Sequence, residues 1–126
     1  SEAQERVNLA LAASRRAMEL GGENRDVTEG LANSLVLAGE IYQMNGSASL
    51  AAHFFQEAFS LLEPAAGNHR SCAIQFVWLR ALTFLGQIDQ ARDIASNLRA
   101  SGFARWDFQI FCQDHVLLAD SGLAGN

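Results

Sequence analysis

The chain has 126 residues, of which 49% are apolar, and a formal net charge of −5; that length and composition give one real core and exclude a disordered tail. All nine basic residues are arginines, so a phosphate-loop lysine, a Schiff-base lysine and a lysine general base are excluded. The acidic balance, with Arg15-Arg16 as the one basic pair, argues against nucleic acid as the main partner.

One proline, abundant alanine and glycines that fall between apolar-periodic stretches predict an all-α chain. A first helix runs from about Glu2 to Leu20, with Val7, Ala10, Leu11, Ala17 and Met18 at helical spacing and Gly21-Gly22 as its stop. Asp26 with Glu29 has the spacing of a capping box opening a second helix, which carries Leu31, Leu35, Ala38 and Tyr42 and stops at Asn45-Gly46. Ser47 or Ser49 can cap a third, striped with Leu50, Ala51, Phe54, Phe55, Ala58, Leu61 and Leu62 and ended by Glu63-Pro64. The fourth, about Ser71 to Leu85, is apolar around most of its circumference and is expected at the centre of the fold. A fifth carries Ile88, Ala91, Ile94, Ala95 and Leu98 and closes near Ser101-Gly102. A sixth, about Ala104 to Leu118, offers Trp106, Ile110, Phe111, Leu117 and Leu118, and a frayed tail is expected from Ala119.

Sliding the sequence by 40 residues superposes Gly46 on Gly86 and Ala51 on Ala91, with Leu37 on Val77, Tyr42 on Leu82 and Ala58 on Leu98. Self-similarity of this kind marks paired-helix repeats. The first copy, Leu35-x2-Ala38-Gly39-x2-Tyr42 followed by Gly46, Ala51-x3-Phe55, Ala58 and Pro64, resembles the tetratricopeptide repeat, with leucine in place of the family's tryptophan. The second copy, Trp78-Leu79-x2-Leu82, Gly86, Ala91-x3-Ala95 and Leu98, keeps the spacing but lacks the glycine and the tyrosine. The resemblance covers about Leu31 to Gly102; extra residues beyond the family's usual unit fall at Ala66 to Ser71. It implies a single helical domain over 1–126, with an N-terminal helix at 1–22, repeats at 31–65 and 72–103, a capping helix at 104–119, and a right-handed superhelix. Close crossing of the first repeat's helices is expected where Gly39 faces Ala51 and Ala58, with Tyr42 and Phe55 filling the space one turn away.

In the family, the first helix of each pair lines a concave groove for an extended peptide or a helix. The resemblance places Asn33, Val36, Glu40, Gln43 and Met44 there from the first repeat, and Ala73, Phe76, Arg80, Thr83 and Phe84 from the second. The family's clamp for a terminal carboxylate needs lysines that are missing here, which favours a partly hydrophobic helix or strand as ligand. The competing reading makes Phe76, Phe84 and Met44 core residues packed against the terminal helices.

Other constellations carry less. Cys112 and His115 lie three apart, enough for two metal ligands but not four, and no orienting group marks them as a nucleophile and base. His53 and Glu57 have the spacing of a surface pair on one helix. No nucleophile elbow, phosphate loop or zinc-helix motif occurs, so neither catalysis nor a cofactor is expected. The two cysteines form no CxxC pattern and read as reduced, buried thiols. No charged-then-apolar leader opens the sequence, and the most apolar window, Cys72 to Leu85, is too short for a membrane span. The expectation is therefore a cytoplasmic protein with a protein partner, binding neither membrane nor nucleic acid. Adaptor or partner-specific chaperone is the leading role, and use of arginine alone is compatible with a high-GC bacterial genome. The alternative is a regulatory or dimerising domain of a larger protein; an enzyme or ligand sensor ranks third.

Overall fold

A computed structural model describes residues 2–21, 25–65 and 71–118. The chain is all-helical: α1 (Glu2–Gly21), α2 (Arg25–Met44), α3 (Ala48–Leu62) with a 3-10 turn at Glu63–Ala65, α4 (Cys72–Phe84), α5 (Ile88–Ala100) and α6 (Trp106–Asp114). These form two compact units, Ser1–His69 and Arg70–Asn126, divided within the stretch where the repeat spacing puts its extra residues. No helix among the described residues is long and apolar enough to cross a membrane. The expected frayed tail lies outside the described residues.

In the first unit α2 is sandwiched by sequence neighbours. It buries Leu31, Ala32, Leu35, Val36, Ala38 and Gly39, while α1 contributes Val7 and Leu11, and α3 contributes Ala51, Phe55, Ala58 and Leu62. The α2/α3 crossing is tighter than alanine would permit. A Cβ built on Gly39 would stand 2.5 Å from Cε1 of Phe55. Gly39 therefore meets the ring of Phe55 most closely, and Ala51 and Ala58 are buried on the same stripe of α3. Polar ties join α1 to the pair: Tyr42 donates to Asn8 Oδ1 at 3.2 Å, and the hydroxyls of Ser14 and Ser34 lie 3.2 Å apart.

Three local expectations are refined. α2 is described from Arg25, which puts Asp26 inside its first turn, and Glu29 accepts from Arg25 at 3.1 Å. Ser47 does occupy the N-cap of α3, but its side chain makes no capping hydrogen bond. Glu57 accepts hydrogen bonds from Arg15 of α1, at 2.5 and 2.9 Å, and His53, whose ring lies edge-on to Phe54, also interacts with its charge. An arginine reaching from a neighbouring helix offers a bidentate partner that a histidine one turn away does not.

In the second unit α4 buries nine of its thirteen residues, as a helix apolar on most sides must. Its N-cap Ser71 accepts from the Ile74 N–H. α5 lays Ala91, Ala95 and Leu98 into the core. α6 is shorter than its sequence periodicity predicts, ending at Asp114 because the chain turns back at Val116, whose φ is +53°. Its buried face is Phe108, Phe111 and Cys112; of the apolar residues that the periodicity offered, Phe111 and Leu117 are buried, whereas Trp106 and Ile110 are exposed.

One turn geometry recurs throughout. After α2 the Ser47 N–H reaches the Tyr42 carbonyl and the Gly46 N–H reaches Gln43; after α4, Gln87 reaches Leu82 and Gly86 reaches Thr83. The same pair of bonds follows α5 (Phe103 to Leu98, Gly102 to Arg99) and α6 (Leu117 to Cys112, Val116 to Gln113). This is the Schellman closure, which needs a left-handed residue and is satisfied most cheaply by glycine. Gly46, Gly86 and Gly102 supply it at φ of +83° to +85°; Val116 stands in the same place without that freedom.

Candidate protein-binding surfaces

On α2, Asn33, Leu37, Glu40, Ile41 and Met44 fall at i, i+4, i+7, i+8 and i+11, a single strip along one side of the helix. Asn33, Leu37 and Met44 are exposed, Met44 at 84%, and Glu40 and Ile41 are half-buried. Ala3, Val7 and Ala10 of α1 face Leu37 and Ile41 across an open cleft of about 520 Å³, bordered by the exposed Arg6–Glu2 ion pair. Of the groove residues expected from the first repeat, Asn33, Glu40 and Met44 share this strip. Gln43 is exposed on the adjoining face, and Val36 is fully buried and offers no side-chain surface. Leu37 and Ile41 were not among the expected residues, although their spacing from Asn33 and Met44 contained the signal.

The second-repeat residues are placed differently. Phe76 is buried in an aromatic cluster, 5.7 Å from Phe108, 5.8 Å from Phe111 and 6.2 Å from Phe103 between ring centroids. The Arg80 guanidinium sits 4.9 Å from the Phe76 centroid and is itself only 8% exposed; the Arg105 guanidinium lies 5.6 Å from the same ring. Cation–π contact of this kind offsets part of the cost of removing a guanidinium from water. Thr83 is buried and donates back to the Leu79 carbonyl at 2.8 Å. Phe84 is half-buried against Phe111 and His115, and Ala73 is exposed. Phe76 and Phe84 thus lie under α6, whereas Met44 lies open.

α6 carries a second apolar face. Trp106 is 77% exposed, Ile110 37% and Val116 62%. With Arg99 of α5, Gln109 and Gln113 they border a cleft of about 260 Å³. On a nine-residue helix, residues 106, 110 and 113 lie opposite 108, 111 and 115, so covering one face with α4 leaves the other in water.

The shifted ionisable groups have simple causes. The Arg15 hydrogen bonds hold the Glu57 carboxyl below its ordinary range and raise the Arg15 guanidinium. Arg105, together with the Phe108 N–H, holds Asp107 low in the same way. Burial pushes the Cys112 thiol up to about 11, which keeps it protonated and weakly nucleophilic at neutral pH. The His115 ring is stacked 4.2 Å from Phe111. No group of three or more histidine, cysteine or carboxylate side chains converges to hold a metal among the described residues.

No protein-family model matches the chain, and neither curated proteins nor solved structures include a significant match to it.

Proposed function

We propose that this chain is a protein-interaction module of tetratricopeptide-like helix pairs, with the strip on α2 as its principal contact surface. The observation that carries this reading is the open cleft between α1 and α2, where Leu37 and Ile41 give apolar anchors, together with the strip of α2 that continues from it through exposed Met44 and Asn33 and half-buried Glu40. Apolar side chains contiguous on a helix face and rimmed by polar ones mark binding surfaces more often than chance exposure does. The partner is read as an apolar helix or extended segment of another protein, in the role of an adaptor or chaperone. The repeated Schellman turn and the 40-residue recurrence of Gly46/Gly86 and Ala51/Ala91 support the tetratricopeptide-like assignment.

The test is a peptide-display selection on the immobilised protein, with binders mapped by amide chemical-shift changes. Binders are expected to shift Leu37, Ile41 and Met44 and to lose affinity in a Leu37→Glu/Met44→Glu variant. Binders that hold that variant equally well would remove the basis of the proposal. Light scattering across a concentration series addresses the alternative: a wild-type dimer that the same variant dissolves would make the strip a self-interface and the chain a dimerisation domain.

A further inference from the structure

The second unit contains a helix, α4, that covers a later helix of the same register, α6. Tyr42, Leu82 and Cys112 each accept the long closing bond of their turn, so Ile41 corresponds to Ala81 and to Phe111. The Phe111 ring is covered from α4, 5.8 Å from the centroid of Phe76 and 5.9 Å from that of Phe84. The pairing advances from Phe76 with Phe108 to Phe84 with His115, so α4 and α6 run in the same direction. Ala81 and Phe111 are both buried. Leu37 corresponds to Val77, which is buried, and to Asp107, which is exposed. On α2 itself, Leu37 is 41% exposed and Ile41 is half-buried.

α1 precedes α2 in the chain as α5 precedes α6, but the described residues of the first unit include no helix in the place of α4. Ile41 marks that place, and it borders the open cleft whose α1 wall is Ala3, Val7 and Ala10. Ala38, the counterpart of Phe108, is already fully buried, so an incoming helix meets α2 on the Ile41 side and rests on α1. Ala3 and Ala10 are exposed and short, which lets a helix come close there. Where α6 presents Phe111, α2 presents the smaller Ile41, which leaves room for rings. The rim is acidic by one charge: Glu2 pairs with Arg6, and Glu40 adds a carboxylate next to Ile41. That excess favours a cation on what enters.

We infer that the cleft between α1 and α2 receives an amphipathic helix of a partner protein, running parallel to α2 as α4 runs to α6. Its inward face carries two aromatic residues eight positions apart with a basic residue midway, the pattern of Phe76, Arg80 and Phe84 on α4. The rings lie on Leu37 and Ile41 against the alanines of α1, and the basic residue meets Glu40. Within this chain α4 alone has that pattern, and its Phe76 and Arg80 are buried, so a second copy cannot lend it. The inference rests on the α2 strip being a contact surface and adds the form, direction and charge of what binds there.

The probe is a fluorescein-labelled helical peptide on an alanine–glutamine host, with phenylalanine, arginine and phenylalanine at four-residue spacing. Its anisotropy is followed as the full chain is added. Saturable binding is expected, which a scrambled peptide does not give. Ala10→Glu, at an exposed position and with the fold checked by circular dichroism, is expected to raise the Kd at least about tenfold. Glu40→Arg is expected to weaken binding to a similar degree, and a peptide with glutamate in the middle place to recover affinity for that variant. A nitroxide at the N-terminus of the peptide is expected to broaden the amide of Asn33 more than that of Met44. The inference is overturned if no saturable binding occurs, if Ala10→Glu leaves the Kd unchanged, if the charge exchange restores nothing, or if the broadening is reversed. A wild-type dimer that Ala10→Glu dissolves also overturns it, since the cleft would then belong to a second copy. Display-selected peptides that respond to Leu37→Glu/Met44→Glu but not to Ala10→Glu would leave the strip a contact surface and remove this seat alone. Selected peptides indifferent to both variants would remove the strip as well.

Discussion

Gly39→Ala is the most informative single change in the first unit, because two known effects oppose each other and geometry decides between them. By helix propensity, alanine in place of a helix-interior glycine gains about 1 kcal/mol. Against it, the added Cβ would lie 2.5, 2.7 and 2.8 Å from Cε1, Cζ and Cδ1 of Phe55. That ring is 1% exposed and cannot swing into solvent. Overpacking a filled core costs about 1–3 kcal/mol, so the net expectation is destabilisation by up to about 2 kcal/mol. Gly30→Ala is the matched control: the same helix, with no atom within 4 Å of the new Cβ, and an expected gain of about 0.5–1 kcal/mol. Urea unfolding followed by circular dichroism measures both, and the two substitutions should move the midpoint in opposite directions. A second arm exchanges the sizes of the pair. Gly39→Leu and Phe55→Ala each destabilise alone, while the double variant moves the large residue from α3 to α2 at the same crossing. It should recover at least about 1 kcal/mol relative to the sum of the singles. Equal shifts for Gly39→Ala and Gly30→Ala, or strict additivity in the cycle, would refute the close α2/α3 crossing.

Val116→Gly should stabilise the second unit by about 0.5–1 kcal/mol, since a β-branched residue at φ +53° bears a strain that glycine does not; thermal melts against Gly86→Ala, which should fall, test it. Glu57→Gln should remove part of the acid dependence of stability. The carboxyl is depressed in the fold, so its contribution is complete above the unfolded value near ~4.3 and is lost as pH falls through the folded one. With both partners partly exposed it amounts to about 0.2–1 kcal/mol, and wild type and variant should converge in melts at the acid end. Alkylation at pH 8 should label Cys72 well before Cys112, because burial leaves the Cys112 thiol protonated up to about 11; equal rates, read by mass spectrometry, would contradict that burial.

Helix positions were legible because apolar spacing and glycine stops are local properties. Gly46, Gly86 and Gly102 each end a helix as the sequence predicts, and the left-handed turn they adopt is the physical reason. The end of α6 was not legible, since Val116 is a poor candidate for a left-handed closure and nothing in its type announces one. Pairings between helices were also hidden. Glu57 has a histidine at helical spacing, but its hydrogen-bond partner, Arg15, is 42 positions away. Burial is likewise a tertiary matter: Leu79 and Ala95, 40 residues on from Gly39 and Phe55, are both fully buried, with the large residue on the earlier helix instead of the later one.

The candidate surfaces show the same limit from another side. Spacing alone states that Phe76 and Met44 both belong to first helices of repeats, but whether such a position is groove or core depends on what covers it. Phe76 is covered by three phenylalanines from the segment 103–111, and Met44 is bare. α6 makes the point within nine residues, because Phe108 and Phe111 take one side of the helix and Trp106 and Ile110 the other. A helix apolar on two sides poses a choice that its own sequence does not resolve. Here α4 offers Phe76 and Phe84 as ring partners and takes the phenylalanine side, leaving an indole and an isoleucine to water at a cost of about 25 cal/mol for each Å² of apolar surface left exposed.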